Sequence, residues 1–440
     1  MSPGRSPLGR HAVWLLTFAT GLVLILHVAG WLAAAVIFWR KATIHAPRLQ
    51  SAIVIALSMI ILDSCNSDRH TRRRVAIAVL VFIAIAFVVV PLPKAFEDHG
   101  LSGGPSTAAS RQQFEARFSL AQGVVHFHSH LGDVLMGWLD KAFGQSAESP
   151  GRAYDTMSRL AGLLFLVELV VAGAWHRWSR EVCRYIALVL ATPVCLLYFG
   201  YWELGYLSVT AGVVPLLALA RNRGGVHEQA ATLMAGFEQG LHTAGHGFGL
   251  TGLAGGALAA LCTRGTALRR LLASLTFASS GVALYLGWIF IYLTVAGLQV
   301  VWSRQLGYRP FFEPMVFDRR IANPLFSLEG LGEFGLFSAL SGVPLFALAM
   351  ATTGGARLLP AILYSVPALM FLIRWWPVSA PYNLDLLLAV FPGQFAALWV
   401  LSSSRMKSRA ALVIIVGLHV LLWTTLGSAM FDRVWIEAGQ

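Results

Sequence analysis

The stretch 272–299 carries no charged side chain, and comparable apolar runs recur along the whole chain. A helix needs about 20 predominantly apolar residues to cross a bilayer. Runs of this kind read near 12–39, 50–62, 75–93, 157–175, 184–200, 204–220, 229–242, 247–262, 272–299, 334–353, 357–373, 384–402 and 410–430. They fill most of the 440 residues, of which 57% are hydrophobic and 12% charged. Soluble domains carry about a quarter charged residues, so the pattern excludes a soluble enzyme with one anchor, and it excludes disorder. The scarcity of short alternating segments argues against an outer-membrane barrel. The expected fold is an all-α polytopic membrane protein with about 12–13 transmembrane helices and amphipathic interfacial helices in its long outward loops.

The first run is too long for a signal-peptide core. The run 50–62 is short, and Arg40, Lys41 and Arg48 precede it. It either crosses the membrane or lies at its interface; the second reading leaves about 12 spans and an external N-terminus. From residue 75 onward both readings give the same topology. No domain boundary or low-complexity linker is visible, so the chain reads as one membrane domain.

The chain carries 33 Lys plus Arg against 21 Asp plus Glu, a net charge of +12. In a soluble protein this would suggest nucleic acid as a partner. Here the excess sits in short loops, 63–74, 176–184, 221–224, 263–270 and 403–409, which fall on one side if the helices alternate. Basic loops mark the cytoplasmic face beside anionic lipid, so membrane lipids are the expected partners and nucleic acid is not. Cys65, Cys183, Cys195 and Cys262 form no CxxC pair and lie in apolar runs or cytoplasmic-side loops, which argues against a disulfide framework.

Two long loops then face outward, 94–156 and 300–333, with short outward turns at Gly200–Glu203, His242–His246 and Arg374–Asp385. Most side chains able to do chemistry collect there. The first loop opens with Glu97 and Asp98, adjacent carboxylates suited to binding a divalent cation or to acting as a general base, or simply solvated. Further on, His126, His128, His130 and Asp133 suggest a metal, with interfacial histidines as the alternative. From His130 to Phe143, Leu131, Val134, Leu135, Trp138 and Leu139 share a helical face while Asp133, Asp140 and Lys141 fall largely elsewhere, which predicts an interfacial amphipathic helix.

The turn Phe199-Gly200-Tyr201-Trp202-Glu203 sets an acid between two apolar helices. Glu238, His242 and His246 sit near another turn, where they could contact phosphate or sugar hydroxyls. In the second long loop Arg304, Arg309, Arg319 and Arg320 accompany Glu313 and Asp318. Arginines away from the cytoplasm need a reason. A phosphate or pyrophosphate held in a guanidinium fork is one, and pairing with the nearby acids or headgroups is the other. Arg374 and Asp385 flank the last outward turn, where Asp385 would also cap the helix that follows.

Taken together, the acids opening the first outward loop, the Phe199–Glu203 turn and the segment Asn383-Leu384-Asp385-Leu386-Leu387 resemble the GT-C superfamily of integral-membrane glycosyltransferases. The turn is similar to the F-G-Y-x-E turn of bacterial members. The late segment is a degenerate version of their D-W-D-L motif, with Asn383 in place of its first acid and no tryptophan. The resemblance covers roughly 75–430, which leaves 1–74 as an N-terminal transmembrane extension and implies a catalytic domain over 75–440. It implies a polyprenyl-phosphate-linked sugar donor, a glycan or lipid acceptor, and an active site on the extracytoplasmic face of a multi-pass inner-membrane protein. Asp98 or Glu97 would be the catalytic acid. Arg309, Arg319, Arg320, Arg374, Glu203, His242, His246 and Asp385 would bind donor phosphate or substrate. Some members use Mg²⁺ or Mn²⁺ and others none; Asp98, His128, His130 and Asp133 are the candidate ligands.

Two other readings compete. A lipid-linked polysaccharide polymerase or ligase also places arginines in a large outward loop. A transporter or flippase for a lipid-linked or anionic substrate would use buried mid-span charges and internal repeats. Repeats are not apparent, and Glu168 is the main mid-span acid, with Glu181 and Glu238 near helix ends.

Overall fold

The computed structural model describes residues 46–89, 123–126, 130–146, 149–193, 210–222, 226–245, 249–301, 342–353, 358–367 and 391–420. These residues are helical apart from connecting turns and one pair of short strands. The expected all-α architecture holds at that level. The run 12–39 lies outside the described residues.

The first two helices, α1 (Ala46–Ser64) and α2 (Arg69–Val89), form a hairpin. Asp68 starts α2. Its carboxylate accepts the Thr71 hydroxyl at 2.7 Å and the backbone N–H groups of His70 at 2.8 Å and Thr71 at 3.1 Å. An aspartate at this position satisfies donors that a helix leaves unpaired at its start. Arg72, Arg73 and Arg74 consequently lie in the opening turns of α2 rather than in a loop, and the helix begins six residues before the apolar run.

Helix α3 (His130–Ala142) leads to α4 (Ser149–Trp175), which turns at Arg177 and Trp178, both with φ above +50° (52° and 53°), into α5 (Arg180–Ala191). Helix α3 differs from the amphipathic expectation. Asp133 and Asp140 are buried at 2% and 5% exposure, while Trp138 is 58% exposed. Two contacts account for this. The His130 ring Nδ1 lies 2.8 Å from the Ala244 carbonyl, which pins the first turn, and the Ser149 hydroxyl donates to the Asp140 carboxylate. A buried acid with a donor is tolerated, and one without is costly.

The centre is built by α6 (Val213–Asn222), α7 (Val226–Gly245), α8 (Gly249–Ala260) and α9 (Ala267–Thr294). Helix α7 packs against the other three and against α3. It meets α9 backbone to backbone: a Cβ at Gly240 would lie 2.4 Å from the Gly281 carbonyl oxygen. Small residues allow this approach. The remaining helices are α10 (Val343–Thr352), α11 (Leu358–Pro367), α12 (Phe391–Leu401) and α13 (405–420). Tyr185, Phe165, Phe277, Phe395 and Tyr364 fill the core.

Helices α4 and α9 are long and apolar enough to cross a membrane. On α9, Leu268, Leu272, Leu275, Leu286, Phe290 and Leu293 are exposed; on α2, Val81, Phe82, Ile85 and Val88 are.

The basic connections gather at one end. Arg405 pairs with Asp63 at 3.0 Å, Arg72 Nε donates to the Trp178 carbonyl at 3.2 Å, and Lys407 Nζ donates to the Thr353 hydroxyl at 3.0 Å. Glu181, Thr263, Arg264 and Ser403 line one cavity there. Cys65, Cys183 and Cys262 are free thiols. At the other end, β1 (Val124–His126) pairs in parallel with β2 (Gln299–Val301), Val125 opposite Val300. Arg159 Nη1 joins that end, donating to the Val88 carbonyl of α2 at 3.0 Å.

Candidate functional site

Glu238 and His242 are four residues apart on α7, so their side chains share one helical face. That face meets α4 at Glu168. The His242 Nε2 contacts the Glu168 carboxylate directly, and ligand atoms of Glu168, Glu238 and His242 all lie within 4.8 Å of one another. Glu168 is 6% exposed and His242 2%.

The backbone entering α6 faces this cluster. The Ala211 N–H donates to Glu168 Oε2 at 2.8 Å, and the Gly212 N–H donates to Glu238 Oε1 at 3.0 Å. The two acids therefore occupy donors left free at the start of α6, where the helix dipole favours negative charge. Helix α6 starts at Val213, inside the apolar run 204–220. The position of Gly212 also requires a small residue: a Cβ there would lie 2.7 Å from both Glu238 carboxylate oxygens.

A neutral polar layer surrounds the acids. Gln239 Nε2 donates to the Gly249 carbonyl at 3.0 Å, and Gln239 Oε1 accepts the Tyr364 hydroxyl at 2.9 Å and the Thr210 hydroxyl at 3.5 Å. The Tyr185 hydroxyl donates to the Ala211 carbonyl at 2.7 Å. Tyr364 also lines the cavity at the basic end, about 440 Å³ in volume, which Trp399, Arg264 and Glu181 border. Among the described residues, no lysine or arginine pairs with Glu168 or Glu238, and His242 Nδ1 has no hydrogen-bond partner. Two carboxylates and an imidazole so placed can share protons or ligate one cation.

Of the residues singled out from sequence, His126, His130, Asp133, Glu238 and His242 fall among those described. His242 lies inside α7, which continues to Gly245, and not on an outward turn. His130 anchors α3, its Nε2 lying 3.3 Å from the Tyr285 carbonyl in addition to the Ala244 contact, and its ring meets Tyr285 and Tyr292. Asp133 is buried on α3 near Val134, itself packed in a cluster with Tyr285 and Tyr292. Glu97, Asp98, His128, Glu203, His246, Arg309, Arg319, Arg320, Arg374 and Asp385 lie outside the described residues. The sequence reading noted Glu168 and Glu238 separately and did not join them. The signal available was a mid-span acid together with a Glu–His pair at helical spacing, since buried charges need partners.

The chain matches no known protein family, and no curated protein aligns with it significantly.

Proposed function

We propose that this protein is a polytopic membrane glycosyltransferase of the GT-C type, acting at the extracytoplasmic face on a polyprenyl-phosphate-linked sugar. The observation that carries the reading is the β1–β2 pair. In sequence, Glu97 and Asp98 precede β1, and Arg309, Arg319 and Arg320 follow β2. Parallel pairing joins the two strands at the end of the bundle away from the basic connections. The exposed apolar rows on α2 and α9 support immersion in lipid, since monomeric soluble proteins rarely expose such contiguous patches.

On this reading the carboxylate of Asp98, or of Glu97, takes the proton from an acceptor hydroxyl. The hydroxyl oxygen attacks the anomeric carbon, and the lipid phosphate leaves with the electron pair of the broken C–O bond. Arginines of the second loop stabilise the departing phosphate charge. Loss of a general base lowers rate by roughly 10²–10⁴-fold, so Asp98→Asn or Glu97→Gln should yield folded protein with that loss in sugar transfer. A double variant with near-normal turnover would refute the assignment. A second reading, an ion-coupled transporter, is favoured by the buried Glu168–Glu238–His242 cluster. Mass spectrometry of copurified lipid separates the two: bound polyprenyl phosphate supports the transferase.

A further inference from the structure

We propose that Glu168, Glu238 and His242 form a binding site for one divalent transition-metal ion of the Zn²⁺ class inside the helical bundle. Its residues are distinct from the loop acids and arginines assigned to sugar transfer. Three ligand atoms, from α4 and α7, converge within 4.8 Å of one another. An ion with bonds of about 2.0–2.2 Å to nitrogen and oxygen needs only small side-chain adjustments to reach all three. An imidazole with two carboxylates suits Zn²⁺ or a similar first-row ion better than Mg²⁺ or Ca²⁺, which prefer all-oxygen ligands.

Three further features point to a ligand. The backbone N–H groups of Ala211 and Gly212 hold one oxygen of each carboxylate, leaving the other to face the cluster, the outer support that metal-binding carboxylates use. Gly212 has no side chain to push Glu238 away. His242 Nδ1 is unpartnered among the described residues, so the ring is not held as a donor at both nitrogens and can present a lone pair to an ion. Charge is the last consideration. Two buried carboxylates with no described lysine or arginine partner are costly when ionised, and one divalent cation neutralises both. The neutral imidazole ligates through one nitrogen and keeps its proton on the other, while binding releases any carboxyl protons to solvent, so affinity falls as pH is lowered. Tyr364, whose hydroxyl meets Gln239 beside the acids, also lines the cavity at the basic end.

The test uses full-length protein in detergent, stripped with a chelator and then titrated with Co²⁺, whose visible absorption reports tetrahedral nitrogen–oxygen ligation. Wild type should bind one equivalent, Zn²⁺ should displace it, and Zn²⁺ should raise the thermal unfolding midpoint. Glu168→Gln and Glu238→Gln should each weaken binding by about 100-fold or more, and His128→Ala should leave it intact. Wild-type protein that keeps no Co²⁺ and shows no Zn²⁺-dependent shift in midpoint would overturn the site in favour of shared protons. Co²⁺ retained by both glutamine variants and lost in His128→Ala would move the ion to the outward loop and overturn it equally.

Discussion

Single side chains decide where these helices begin. Asp68 does so for α2: three hydrogen bonds, with the Thr71 hydroxyl foremost and the Thr71 and His70 N–H groups after it, lower its pKa from 3.8 to about 2. A depressed carboxylate contributes stability that is complete above its unfolded pKa and disappears as pH falls through the folded one. The contribution of Asp68 should thus be whole above about pH 4 and vanish toward pH 2. Thermal unfolding of wild type and Asp68→Ala across that range checks it: the gap between the two should close with acidification, and a gap constant from pH 5 to pH 2 would contradict the cap. The same residue shows what the sequence concealed. Arg72–Arg74 read as a loop because charge interrupts apolar periodicity, yet a capped helix accepts arginines in its first turns.

At the scale of elements, α7 organises the molecule, and its glycines set how closely neighbours approach. A side chain at Gly240 would meet the Gly281 carbonyl of α9, whereas at Gly287, also on α9, nothing lies within 4 Å. Gly240→Ala should therefore cost about 1–3 kcal/mol through forced separation of the two helices. Gly287→Ala should be neutral or slightly stabilising, because alanine is the better helix former. Chemical unfolding of both variants in detergent measures the contrast, and equal stability would mean that α7 and α9 do not touch as described. Most helices here were legible as apolar runs, since burial in protein or lipid demands them. Their contacts were not. Glu168 stands seventy residues before Glu238, and only tertiary packing joins an acid on α4 to the Glu–His face of α7. Hydrophobic periodicity likewise turned Asp133 and Asp140 outward on α3, whereas hydrogen bonds at His130 and from Ser149 hold that helix with its acids inside.

Across the whole molecule, the described connections sort to two ends. Connections near 63–68, 176–179, 263–266 and 403–404 meet at one end, joined by Arg405–Asp63 and by Arg72 on the Trp178 carbonyl. Strands β1 and β2, the origin of α3 and the close of α9 meet at the other. Arginines crowd the first end: Arg69, Arg73, Arg74, Arg264, Arg269 and Arg270 all belong to its turns and helix starts. On the proposed membrane reading, Lys and Arg in short loops set orientation toward the cytoplasm, which would put the β1–β2 end outside. Single cysteines placed in a background without native thiols make this testable in intact cells. An impermeant maleimide should label positions in 100–120 and 305–325 from outside, and positions in 263–270 only after permeabilisation. Because the first two regions flank the paired strands β1 and β2 in sequence, they should label alike. Labelling of 305–325 only after permeabilisation would invert the orientation and, with it, remove Asp98 and the arginines from the face where a lipid-linked donor is proposed to react.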